Sequence, residues 1–176
     1  SGTFGGQELD ARELWVKSRG KTYDFQVGRQ FLTEVVGFKM DGLRVDQHKK
    51  GSKWRIFGYG GLFPLRGSRD VRLDYPVLAG DPNDPNAQEQ RLMPVMGGAC
   101  GSYRGERAYG SVAASVILPL ADDAATGQAE ENRIFLTSTG YWQQSSKTDL
   151  YHLVVLDAAG SRGAGVTNIS VGVNHR

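Results

Sequence analysis

The feature that most constrains this chain is the repeated, one-by-one alternation of apolar and polar residues in short segments. In Thr22 to Val27, Tyr23, Phe25 and Val27 fall on one side and Asp24 and Gln26 on the other. Lys53 to Tyr59 sets Trp54 and Ile56 against Arg55, Phe57 and Tyr59, and Arg69 to Leu78 sets Val71, Leu73, Tyr75 and Val77 against Asp70, Arg72, Asp74 and Pro76. The pattern returns in Val112 to Leu118, where Val112, Ala114, Val116 and Leu118 form one apolar face, and again in Arg133 to Trp142, Leu150 to Leu156 and Val166 to Val173. Successive side chains of a strand point to opposite faces, so a period of two predicts half-buried strands. Two segments, Glu8 to Ser18 and Arg29 to Phe38, fit either a strand or a helix.

Between these segments the chain is punctuated by turn chemistry. Glycine is frequent, 24 residues in 176, which suits an all-β domain with many turns and argues against a helical bundle. Asp41-Gly42 predicts a turn, as do Gly97-Gly98 with Gly101 and Gly105, while Gly80 to Gln90 and Ala121 to Asn132 read as loops. Gly58, Gly60 and Gly61 lie in a strand pattern and are expected to relieve bending, since no helix follows to make them a phosphate loop. About eight strands at this spacing predict a closed antiparallel eight-stranded barrel spanning 1–176 as a single domain, with 1–8 flexible.

Composition excludes several functions. A net charge of +2 without a basic stripe gives no reason to expect a nucleic-acid partner, and Gln47 to Arg55 reads as a solvated hairpin tip. Cys100 is the only cysteine, so neither a disulfide within the chain nor a cysteine-based zinc site can form. His48, His152 and His175 are too scattered for a metal site, and no motif calls for a cofactor. No apolar run approaches the length of a membrane-spanning helix, so no membrane span is expected. The compartment is left open, cytoplasmic or secreted after removal of a signal.

The stretch Arg91-Leu-Met-Pro-Val-Met-Gly-Gly98, followed by Gly101-Ser-Tyr-Arg-Gly-Glu-Arg-Ala-Tyr109, resembles the strand and turn motif of the dirigent and allene oxide cyclase superfamily. It departs by one extra residue between Gly98 and Gly101, and the likeness covers about 30 residues. The resemblance implies the same closed barrel, homo-oligomers (dimer or trimer), and a cofactor-free cyclase or stereo-directing protein. Such a protein holds a small apolar metabolite in its cavity and controls ring closure or coupling.

Arg104 and Arg107 match the two arginines of the dirigent turn, so the resemblance implies that they stabilise developing charge. Asp74, placed by strand parity, would act as the carboxylate. Tyr59, Tyr109, Tyr141, His152 and Trp54 would line the substrate cavity. A salt bridge across the turn, with Glu106 for instance, accounts for the arginines equally well. Two other readings stand beside this one: a non-catalytic lipocalin-like carrier, and a structural or assembly β-protein.

Overall fold

The alternating segments do become strands, and they are longer than the patterns that announce them. The computed structural model describes residues 13–64, 77–78, 90–91, 94–118, 132–159 and 163–176. In chain order the strands are β1 (Leu14–Arg19), β2 (Tyr23–Leu32), β3 (Phe38–His48), β4 (Trp54–Leu62), β5 (Val77–Leu78), β6 (Gln90–Arg91), β7 (Val95–Arg104), β8 (Ala108–Leu118), β9 (Arg133–Gln143), β10 (Thr148–Ala159) and β11 (Gly165–His175). One short 3-10 turn, Thr33–Val35, sits between β2 and β3.

All but β5 and β6 form one nine-stranded antiparallel sheet in the order β1-β2-β3-β4-β7-β8-β9-β10-β11. The fold is therefore all-β, as expected. Two expectations are corrected: the sheet has nine strands, not eight, and it is open, because among the described residues β1 pairs only with β2 and β11 only with β10. Glu8 to Ser18 resolves into strand from Leu14 onward, and Arg29 to Phe38 into strand, 3-10 turn and strand.

The predicted turns at Asp41-Gly42 and Gly97-Gly98 are strand interior instead. Gly42 is opposite Gly61 on β4, where a Cβ on either would overlap the other strand's backbone. Glycine here permits close approach rather than reversal. The reversal after β7 occurs only at 105–107, where Gly105 N donates to Ala108 O at 2.7 Å.

The sheet is curled. Four inter-strand steps separate β3 from β9, which would place them about 19 Å apart in a flat sheet. Yet the rings of Phe38 and Phe135 meet at 5.9 Å, edge to face. On this concave side the 3-10 turn packs down, and Leu32, Val35, Met40, Phe57, Tyr59, Met96, Cys100 and Ala113 form the core cluster. Val36 closes that turn in the left-handed region (φ 60°), followed by Gly37 at φ 66°.

Register decides which side the apolar face of β8 takes. Val112, Ala114, Val116 and Leu118 do share a face, but it is the convex one, and Val112 is 65% exposed. Their neighbours Ser111, Ala113 and Ser115 are the buried set.

Candidate functional site: two chemically opposite faces of one sheet

Following the register from strand to strand assigns nearly every side chain to one of two faces. One cross-strand row on the convex face runs Trp54, Tyr103, Gly110, Gly140, His152, Val171; the next runs Ile56, Gly101, Val112, Ser138, Val154, Ile169. Of the large exposed apolar side chains among the described residues, all but Trp15, Tyr109 and Tyr151 belong to this face. It extends from Leu14 and Val16 on β1 to Val166, Ile169, Val171 and Val173 on β11. Contiguous apolar surface on this scale does not face water without a cost.

Charges pair on both faces: on the convex side Arg29 of β2 pairs with Asp41 opposite it on β3, and on the concave side a cluster gathers around Arg44. Arg44 is held between two acids, its Nε donating to Asp46 Oδ2 at 3.0 Å, its Nη2 to Asp46 Oδ1 at 2.8 Å and to Glu34 Oε1 at 3.1 Å. Its guanidinium lies 3.7 Å from the centre of the Phe57 ring. Asp24 pairs with Lys17 at 3.2 Å. Burial by itself would raise the Glu34 carboxyl, but the hydrogen bonds and charge of Arg44 outweigh it and hold Glu34 below its usual range. The turn is fixed from the other side too, since Ser111 Oγ donates to Glu34 O at 2.9 Å. Near it, Tyr59 Oη and Ser115 Oγ are 2.5 Å apart.

The ends of the strands differ as well. Four short turns, 20–22, 49–53, 105–107 and 144–147, gather at one end. The other end carries the two long connections, 63–94 and 119–132, together with the shorter ones at 33–37 and 160–164. Just inside the short turns the convex face bears Tyr23, Trp54, Tyr103 and Trp142, with the Trp54 and Tyr103 rings 5.1 Å apart. The turns themselves contain Lys21, Lys49, Lys50, Lys53, Arg107 and Lys147 against a single carboxylate, Glu106.

The residues expected to form one cavity are divided by this arrangement. Tyr59 is on the concave face and buried, with its hydroxyl raised by burial. Tyr109 and Tyr141 also face inward, stacked at 5.2 Å, with Tyr141 donating to Asp149 at 2.9 Å. Trp54 and His152 lie on the convex face instead. The His152 ring covers Gly140, and its Nε2 is 2.9 Å from Ser138 Oγ, which corrects its expected place at a barrel interior. Arg104 ends β7 and Arg107 sits in the turn beyond; both are exposed. No Arg104 or Arg107 ion pair with Glu106 occurs among the described residues. Asp74 lies outside the described residues.

Sequence reasoning missed Arg44, Asp46, Glu34 and Ser111. The only available signal was Arg44-Val-Asp46 at strand spacing, which places both charges on the same side. Among the described residues no group of acidic, histidine or cysteine side chains could hold a metal ion. Burial pushes the Cys100 thiol up to about 12, so it is inert as a nucleophile at neutral pH. No helix among the described residues is long and apolar enough to cross a membrane. No family model matches the chain, and no curated protein and no solved structure is similar to it.

Proposed function

We propose that this chain forms the wall of a membrane-spanning β-barrel, with the convex face against lipid and the concave face bounding the interior. The observation that carries this reading is the breadth of exposed apolar surface on the convex face, from Leu14 and Val16 on β1 to Val171 and Val173 on β11, while the inside of the curve holds the core cluster and the Arg44 ion pairs. A β-sheet that crosses a bilayer needs this arrangement, because its interior faces water or protein and its exterior faces hydrocarbon.

Dimensions agree. Apart from β1, the strands of the large sheet are 9 to 12 residues long, against the 9–11 that a tilted spanning strand needs. The nine residues of β4, tilted by about 40°, rise about 23 Å, close to the apolar band of about 25 Å in such barrels. The row of Tyr23, Trp54, Tyr103 and Trp142 corresponds to an interfacial aromatic belt, and the lysine-rich turns beyond it to the headgroup layer. Short turns throughout one end, with the two long connections confined to the other, also suit this architecture.

The cyclase reading draws no support from the same geometry. It requires an apolar lumen with guanidinium groups aimed into it, and here the guanidinium buried on the concave face, Arg44, is taken up by Glu34 and Asp46. Trp54 and His152, which that reading places in the lumen, are on the convex face.

The test is to refold the full chain into phosphatidylcholine vesicles and measure strand order by polarised infrared spectroscopy, with carbonate washing to remove peripheral protein. Retention in the vesicles, with the strands tilted about 35–45° from the bilayer normal, is the expected result. A chain that stays monodisperse and folded in detergent-free buffer and does not enter vesicles would refute the proposal.

A further inference from the structure

The concave side is hollow near the short turns. A cavity of about 720 Å³ opens there, within the roughly 300–1,000 Å³ of small-molecule sites. Five cations line it: Lys49, Lys50 and Lys53 from the β3–β4 turn, Arg55 from β4 and Arg104 from the end of β7. Strand parity agrees, since Arg55 is two residues from buried Phe57 and Arg104 is four from buried Cys100, so both point to the inside of the curve.

The backbone brings these side chains onto one rim without using their charges. Ser52 N donates to Lys49 O at 2.9 Å and Gly51 takes φ 79°, which closes the β3–β4 turn. Trp54 N donates to Ser52 Oγ at 3.1 Å. Arg104 N donates to Lys53 O at 2.9 Å, which locks that turn to the end of β7.

The charges at this rim are not balanced. The two carboxylates of the cavity are already engaged, Asp24 with Lys17 at 3.2 Å and Glu34 with Arg44 at 3.1 Å. Arg55 comes no nearer than 3.9 Å to Asp46, which Arg44 holds. Lys49, Lys50, Lys53 and Arg104 form no ion pair among the described residues. Like charges lining one cleft reinforce each other's field and draw in a counter-charge. A monovalent ion answers only one or two cations of a set spread over a turn and two strands; a partner that answers the set carries several negative charges.

We infer that this cavity binds a small multivalent oxyanion, its charged groups phosphates or carboxylates, with Lys53 and Arg104 as the central donors and Lys49, Lys50 and Arg55 around them. Guanidinium offers paired N–H donors to either group, and ammonium a mobile point charge. The site belongs to the concave side alone, so it stands whether or not the convex side meets lipid.

The test is calorimetric titration of the full chain in dodecyl maltoside, an uncharged detergent, with pyrophosphate, citrate or acetate. The salt is about 0.15 M sodium chloride, where attraction between exposed charges beyond about 8 Å is largely screened. Saturable binding of pyrophosphate or citrate, at least about tenfold tighter than acetate, is expected; the tighter of the two identifies phosphate or carboxylate as the group recognised. Lys53→Gln with Arg104→Gln removes two charged donors and should weaken binding about a hundredfold. Arg133→Gln, at the opposite end of the sheet, should change it less than about twofold. Absence of saturable binding by both multivalent anions would overturn the inference. So would an unchanged affinity in the double variant, or an equal loss in Arg133→Gln, with circular dichroism unaltered. A chain that stays in vesicles but binds neither anion fails this inference alone, and one that binds but never enters vesicles fails only the bilayer reading.

Discussion

The two faces of the sheet are built from the same strands, one residue apart, yet they follow opposite rules. On the convex face Val112 is 65% exposed, while next to it on the concave face Ser111 is 6% exposed. In a water-soluble sheet the valine would be inside and the serine outside. The difference teaches that burial in this molecule follows position on the inside of the curve: Leu32, Met40 and Phe57 are buried there together with Asp46 and Ser111, while the apolar convex side is left uncovered among the described residues.

Four measurements would break or sharpen that contrast. The largest effect is expected on the concave face from Arg44→Ala. Asp46 has 2% of its side-chain surface exposed, so losing the guanidinium strands a buried carboxylate and should cost about 3–5 kcal/mol in urea unfolding from vesicles. Next comes Leu136→Arg, near the middle of the convex face. Against lipid it should cost about 2–4 kcal/mol; a change within about 0.5 kcal/mol, as for an ordinary water-exposed site, would argue that the face meets water. Smaller again is Tyr59→Phe, which leaves Ser115 Oγ without the hydroxyl it faces and should cost about 1–3 kcal/mol.

The smallest effect is pH dependence. The Glu34 carboxyl is held below its usual 4.5, so its contribution is fully present above that value and is lost as pH falls through its lower folded value. The urea midpoint should therefore decline on acidification. In Glu34→Gln part of that decline should be absent, and a variant with an unchanged pH profile would detach the turn from the charge cluster.

Much of the strand content was legible. The segments from Thr22, Lys53, Arg133, Leu150 and Val166 all coincide with observed strands, starting no more than one residue ahead of them, because period-two alternation is a local property of the chain. What alternation cannot supply is which face turns inward. Val112 and its partners do share one apolar face, and only the register puts that face on the outside of the curve. The glycines misled for a related reason. Gly97, Gly98 and Gly101 are spaced like a bend, but they lie inside β7, opposite Gly60, Tyr59 and Ile56 of β4. The Arg44 cluster was out of reach because Glu34 enters it through a turn that folds back across the sheet, a contact with no local signature. Asp74 and the strand proposed around it fall outside the described residues, apart from the backbone of Val77 and Leu78.

The one-sided pairing of β1 and β11 has a consequence for how such a chain must be handled. Among the described residues each presents a row of amide and carbonyl groups with no strand opposite, and hydrocarbon would offer them no water to bind. A free margin of that kind can exist in buffer but not in a bilayer interior. If the sheet inserts, it must complete its circumference as it does so, through its own two margins or a neighbouring molecule's, and refolding yields should then depend steeply on whether lipid is present when the margins first meet.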